Sequence, residues 1–165
     1  MSALLIVLLI VMLVMVWYLS FTATRLDRLH HRVETSWGNL DAALKTRSAL
    51  TLEIARSNLV DPATSMLLLA AAHVAVVAEQ SERADAEEEL SQLLLSLLEE
   101  KALDSDGEIF RELNSARDRL RIAIALHLEA VSRTQAQRKR PIVRIFRLAG
   151  RAPLPVKYPF EEIQV

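Results

Sequence analysis

Histidine and carboxylate side chains are where chemistry would start in this chain. His30 and Glu34 stand four apart, the spacing that puts two metal ligands on one face of a helix, and His31 adjoins them. No third ligand follows at suitable local spacing, so a solvated helix face is the simpler account and no metal is expected. His73 and His127 lie in apolar stretches. Buried together they would form a pH-sensitive pair; hydrogen-bonded core histidines are the plainer reading. No serine sits in a G-x-S-x-G elbow, and three glycines in the whole chain leave no phosphate-cradling loop. The absence of cysteine excludes disulfides, thiolate catalysis and cysteine zinc sites. The expected catalytic, cofactor and metal sets are therefore empty, and the chain does not read as an enzyme.

Charge is the other resource. The net charge of −1 hides thirteen acids against four bases over residues 79–118 and ten bases against three acids over residues 119–165. From Arg133 to Lys157 there are eight bases and no acid, with Ile142, Val143, Ile145, Phe146 and Leu148 between them. A basic amphipathic segment suits an anionic lipid surface, each base contributing about 1 kcal/mol. The expected membrane-surface contacts are Arg138, Lys139, Arg140, Arg144, Phe146, Arg147 and Arg151. A solvated tail, or one folded onto the acidic middle, is the competing reading. Nucleic acid is not an expected partner, because no set of base-stacking aromatics accompanies the charge. The run Glu87–Glu88–Glu89 reads as a solvated helix start.

The elements that must position these groups are helical. Hydrophobic residues make up 52% of the chain and glycine and proline are scarce, which favours helices over sheets. Residues 2–24 carry no charge, and about 20 helical residues span a hydrocarbon core of about 30 Å. Trp17 and Tyr18 stand near its far end, where amphipathic rings prefer the interface. A cleaved signal peptide would need a basic start, a shorter apolar run and a small-residue cleavage site; an uncleaved anchor is the better reading. Arg25, Arg28 and Arg32 after the run place the N-terminus outside and the bulk in the cytoplasm.

Leu26, Leu29, Val33, Trp37, Leu40 and Leu44 form one stripe at spacings of 3, 4, 4, 3 and 4. Anchor and first soluble helix are expected to be continuous to about Val60, with Val33, Trp37, Leu40 and Leu44 in the core. Trp37 could instead mark a binding groove. Asp61 and Pro62 suit the cap and first turn of a second helix, to about Gln80. Its uncharged "MLLLAAAHVAVVA" is too short to cross a bilayer and reads as a buried core helix. A turn near Ser81 precedes a third helix over "EEELSQLLLSLLEEKAL", and a loop at "DSDGE" a fourth from Glu108 to about Arg140. The expected architecture is all-α: a transmembrane helix (1–24) continuous with an antiparallel four-helix up-and-down bundle (25–140), then a basic proline-containing tail (141–165). Were helices 2 and 3 one, the bundle would have three helices and the tail would point away from the membrane.

The stretch "RVETSWGNLDAALKTR", Arg32–Arg47, resembles the signature of the LemA family, bacterial proteins with a membrane segment followed by a helical bundle. The pattern falls on Val33, Trp37, Leu40 with Asp41, Leu44, and Lys45 with Arg47. The likeness continues through the last helix into "RLAGRAPLPVKYPFEE", similar to the ends of actinobacterial-type members. The chain departs from the family pattern at Thr46, Leu52 and Leu128, where relatives often carry arginine, proline and asparagine. The resemblance implies a four-helix bundle and no established catalytic activity. The expected function is a single-pass, membrane-anchored, non-catalytic interaction or scaffolding module of the bacterial cell membrane. An accessory subunit of a membrane enzyme or transporter is the runner-up, and an unrecognised hydrolase a third reading. Expected partners are membrane lipids, unidentified proteins and a second copy of the chain.

Overall fold

With no proline before position 62 and one glycine in its path, nothing stops the first helix early. In this computed structural model, which describes residues 2–57, 59–79, 82–101 and 107–146, helix α1 runs unbroken from Ser2 to Arg56. It is followed by α2 (Pro62–Val77), α3 (Arg83–Lys101), α4 (Glu108–Arg138) and the short α5 (Pro141–Ile145). The described residues contain no strand, and the protein is all-helical.

Hydroxyls along α1 are turned back onto their own helix. Thr22 donates to Tyr18 O at 2.9 Å, Thr35 to His31 O at 2.8 Å and Thr51 to Arg47 O at 2.9 Å. Such back-bonding satisfies the hydroxyl without a partner from another element. Ser57 ends the helix, its Oγ donating to Ile54 O at 2.6 Å. Asp61 then caps α2: its Oδ1 accepts from the N–H groups of Ala63 at 2.9 Å and Thr64 at 3.1 Å, ahead of Pro62. Hydrogen bonds from Thr64, side chain first and backbone next, hold the Asp61 carboxyl below its ordinary range. Ser65 Oγ donates to Ala55 O at 2.6 Å and ties the start of α2 to the end of α1.

The described residues pack as two units, one of residues 2–36 with 128–146 and the other within residues 37–127. In the second unit all four long helices supply one core. Leu50 and Ile54 from α1 join Leu68 and Ala72 from α2, Leu90 and Leu94 from α3, and Leu113 and Ala116 from α4. Each fully buried leucine contributes about 1.5–3 kcal/mol relative to exposure. In the first unit Leu26, Ala130, Val131 and Val143 are buried, and Thr134 Oγ1 donates to Ala130 O at 2.8 Å with Leu29 O at 3.4 Å. The apolar run at the start of α1 is long enough to cross a membrane, and none of it is buried in protein. It is compatible with a single-pass anchor.

Several boundaries differ from expectation. α1 and α2 stop at Arg56 and Val77, short of Val60 and Gln80, and α4 stops at Arg138. α3 begins at Arg83, four residues before Glu87, because Ala84, Ala86 and Glu87 pack inward and hold that turn helical. Pro141 opens α5, a separate short helix in the tail. The expected turn at Ser81 and most of the "DSDGE" loop lie outside the described residues.

The reading of α2 as a wholly buried helix is corrected. Leu68, Ala71, Ala72 and Ala75 face inward, while Met66, Leu67, Val74, Val76 and Val77 are exposed. Polarity contributes little to the contrast between its faces, since His73 is the only ionisable residue of the helix and lies on the exposed side. Ala71, Ala72 and Ala75 let the neighbouring helices approach closely around Leu68.

Candidate functional site

The core leucine stripes of α1 and α3 each carry one charge. Leu40, Leu44, Arg47 and Ile54 share a face of α1, and Glu87, Leu90, Leu94 and Leu97 share a face of α3. Arg47 and Glu87 are each only 1% exposed and form an ion pair through Arg47 Nη2 and Glu87 Oε2. Arg47 Nη1 also donates to Ser91 Oγ at 2.7 Å, and Nη2 to Glu87 O at 3.2 Å. Burial pushes the Arg47 guanidinium below its ordinary pKa; Glu87 opposes that shift and the field of Arg117 adds to it.

The network continues to the surface. Arg83 Nε lies 3.9 Å from Glu87 Oε1, and Arg83 Nη2 pairs with Asp41 Oδ1 at 2.8 Å. Asp41 Oδ2 is held by Lys45 Nζ at 2.7 Å. The hydrogen bond from Lys45 is the main reason the Asp41 carboxyl lies below its usual value, with Arg83 adding to it. Asp41 and Arg47 stand in one stretch of α1, which thus meets α3 through charges. Reading Glu87 as a solvated helix start is corrected: it lies on the leucine face. The signal was its spacing of three from Leu90, hidden by two further glutamates.

Beside this network, the end of α2 and the start of α3 enclose a broad groove of about 800 Å³. Val74, Val77 and Ala86 give it apolar walls, and Glu79, Glu82, Asp85 and Glu89 surround them with carboxylates. No base lines it. Its apolar wall continues into the exposed face of α2, since Val74 and Val77 belong to both. Such a surface matches a segment that is basic and apolar at once.

The histidines separate into different environments. His127 is buried against Trp37, the ring centroids 5.5 Å apart and tilted by 57°, and burial lowers its pKa. His73 is exposed and lines the acidic groove, which corrects its reading as a core residue or as one of a buried pair with His127. His31, not His30, meets Glu34, with Nδ1 to Oε2 at 3.3 Å on an exposed face. Among the described residues no group of three or more histidines and carboxylates is placed to hold a metal ion. Of the expected core residues, Leu40 and Leu44 are fully buried, and Val33 and Trp37 are half-buried.

Of the expected membrane-facing residues, Lys139, Arg140, Arg144 and Phe146 are exposed and Arg138 is half-buried. Arg147 and Arg151 lie outside the described residues. No protein-family model matches the chain, and neither does any curated protein or solved structure.

Proposed function

We propose that this protein is a single-pass, membrane-anchored interaction module without catalytic activity, of the LemA type. In this reading residues 1–24 span the bacterial cell membrane with the N-terminus outside. The helices after it form an antiparallel four-helix up-and-down bundle on the cytoplasmic side. Arg138, Lys139, Arg140, Arg144 and Phe146 rest on the anionic lipid surface. The face of α2 and its acidic groove hold a protein partner through a basic, apolar segment.

One observation carries the reading. The uncharged helix α2 buries Ala71, Ala72 and Ala75 and leaves Met66, Leu67, Val74 and Val77 exposed, the two valines beside four carboxylates. A contiguous exposed apolar face of this kind marks an interaction surface.

The experiment is photo-crosslinking in intact cells, with a photoreactive residue at Val77 and, as control, at exposed Ser115 on α4. Discrete adducts specific to Val77 are expected, lost when Glu79, Glu82 and Glu89 are changed to lysine. An adduct of twice the chain mass would identify a second copy as the partner. Equal, diffuse labelling at both positions would defeat the proposal.

A further inference from the structure

Within the first unit, the exit of the apolar run meets the junction of α4 and α5 in a second pocket. It is lined by Tyr18, Phe21, Thr22 and Arg25 from α1, and by Gln137 and Arg140 with the first turn of α5. Two guanidiniums face this pocket and no carboxylate does. Neither Arg25 nor Arg140 has an ion-pair partner among the described residues. The base of the site is packed: Thr22, Gln137 and Val143 are all more than nine-tenths buried.

Its place along α1 supplies the second observation. Arg25 is the first charge after the uncharged residues 2–24. Just before it, Trp17 and Phe21 stack with centroids 6.1 Å apart, and both rings and Tyr18 are exposed. Aromatic rings so placed at the end of an apolar helix sit at headgroup level. The pocket volume, about 190 Å³, is below the ~300–1,000 Å³ of drug-sized sites. That suits a headgroup and not a whole lipid.

We infer that this pocket binds the phosphate of one anionic phospholipid headgroup. Arg25 and Arg140 clamp the phosphate oxygens, as guanidiniums do with their forked donors. The Gln137 amide adds a neutral donor, and the acyl chains run outward along Tyr18 and Phe21. The inference rests on the membrane reading above and adds to it a discrete, stoichiometric site in place of diffuse surface charge.

The test is native mass spectrometry of the full chain in detergent, loaded with phosphatidylglycerol or phosphatidylcholine. One phosphatidylglycerol should be retained in clear preference to phosphatidylcholine. The double variant R25Q/R140Q should lower that preference roughly tenfold or more, with helicity by circular dichroism unchanged. The variant R119Q/R121Q removes two exposed charges of α4 outside the lining and should retain the lipid. Equal loss in both variants would reduce the effect to general surface charge and overturn the inference. So would equal retention of phosphatidylcholine, or displacement of the lipid by millimolar inorganic phosphate. Alkaline carbonate extraction separates the two levels. Protein that stays in the membrane without lipid preference refutes the pocket alone, whereas protein released as soluble chain refutes the anchor and the pocket together.

Discussion

Arg47 on α1 and Glu87 on α3 lie forty residues apart in sequence and form an ion pair with almost no exposure to solvent. Desolvating both charges offsets much of their attraction, so the pair is better understood as a registration device than as a source of stability. It admits one alignment of α3 on α1, because any slip strands a charge among leucines.

Removing one partner should therefore cost far more than removing both. Glu87→Leu or Arg47→Met alone is expected to destabilise by about 3–5 kcal/mol. The double variant should recover most of that loss. Thermal unfolding in detergent, followed by circular dichroism across the four-member cycle, measures the coupling. Additive losses would show that the two side chains act independently.

Acid should weaken the protein through His127. Burial beside Trp37 depresses its folded pKa below the unfolded value of about 6.5. The unfolded chain then binds a proton that the folded chain refuses, so stability falls as pH drops from about 6.5 toward the folded value. Melting temperatures at pH 5 and pH 7.5 should differ in that sense, and His127→Leu should narrow the difference. A wild-type stability that rises on acidification across this window would contradict the assignment.

The two faces of α2 should respond oppositely to substitution. Leu67→Gln and Val77→Gln change exposed positions and are expected to leave stability within about 0.5 kcal/mol while reducing partner crosslinking. Ala72→Leu, at a position with no exposure, should overpack the core and cost about 1–3 kcal/mol. Parallel melting curves and crosslinking yields distinguish the faces.

Gly38 lies inside α1, and a Cβ added there would meet nothing within 4 Å. Gly38→Ala should raise stability by about 0.5–1 kcal/mol through the unfolded chain's lost freedom. The midpoint of urea unfolding should increase with an unchanged slope.

Much of the helical framework was legible in the residues. The 3- and 4-residue spacing around Leu40 and Leu44 marks the buried side of α1, and Asp61–Pro62 announces the cap it forms. What escaped has physical reasons. α2 carries no charge and a single histidine, so periodicity of polarity could not say which side turns outward. Glu87 was hidden in a run of like residues, and only its register with Leu90 and Leu94 separates it from Glu88 and Glu89. The Arg25–Arg140 pocket joins residues more than a hundred positions apart, which no local spacing could bring together.

The buried ion pair also bears on biosynthesis. The ribosome delivers Arg47 forty residues ahead of Glu87, an interval of about 2–8 s at roughly 5–20 residues per second. Throughout it the nascent chain holds a guanidinium without its counter-ion, and the uncharged α2 emerges in the same interval. Closure of this half must await α3, so the uncharged α2 is open to a holding chaperone throughout that interval.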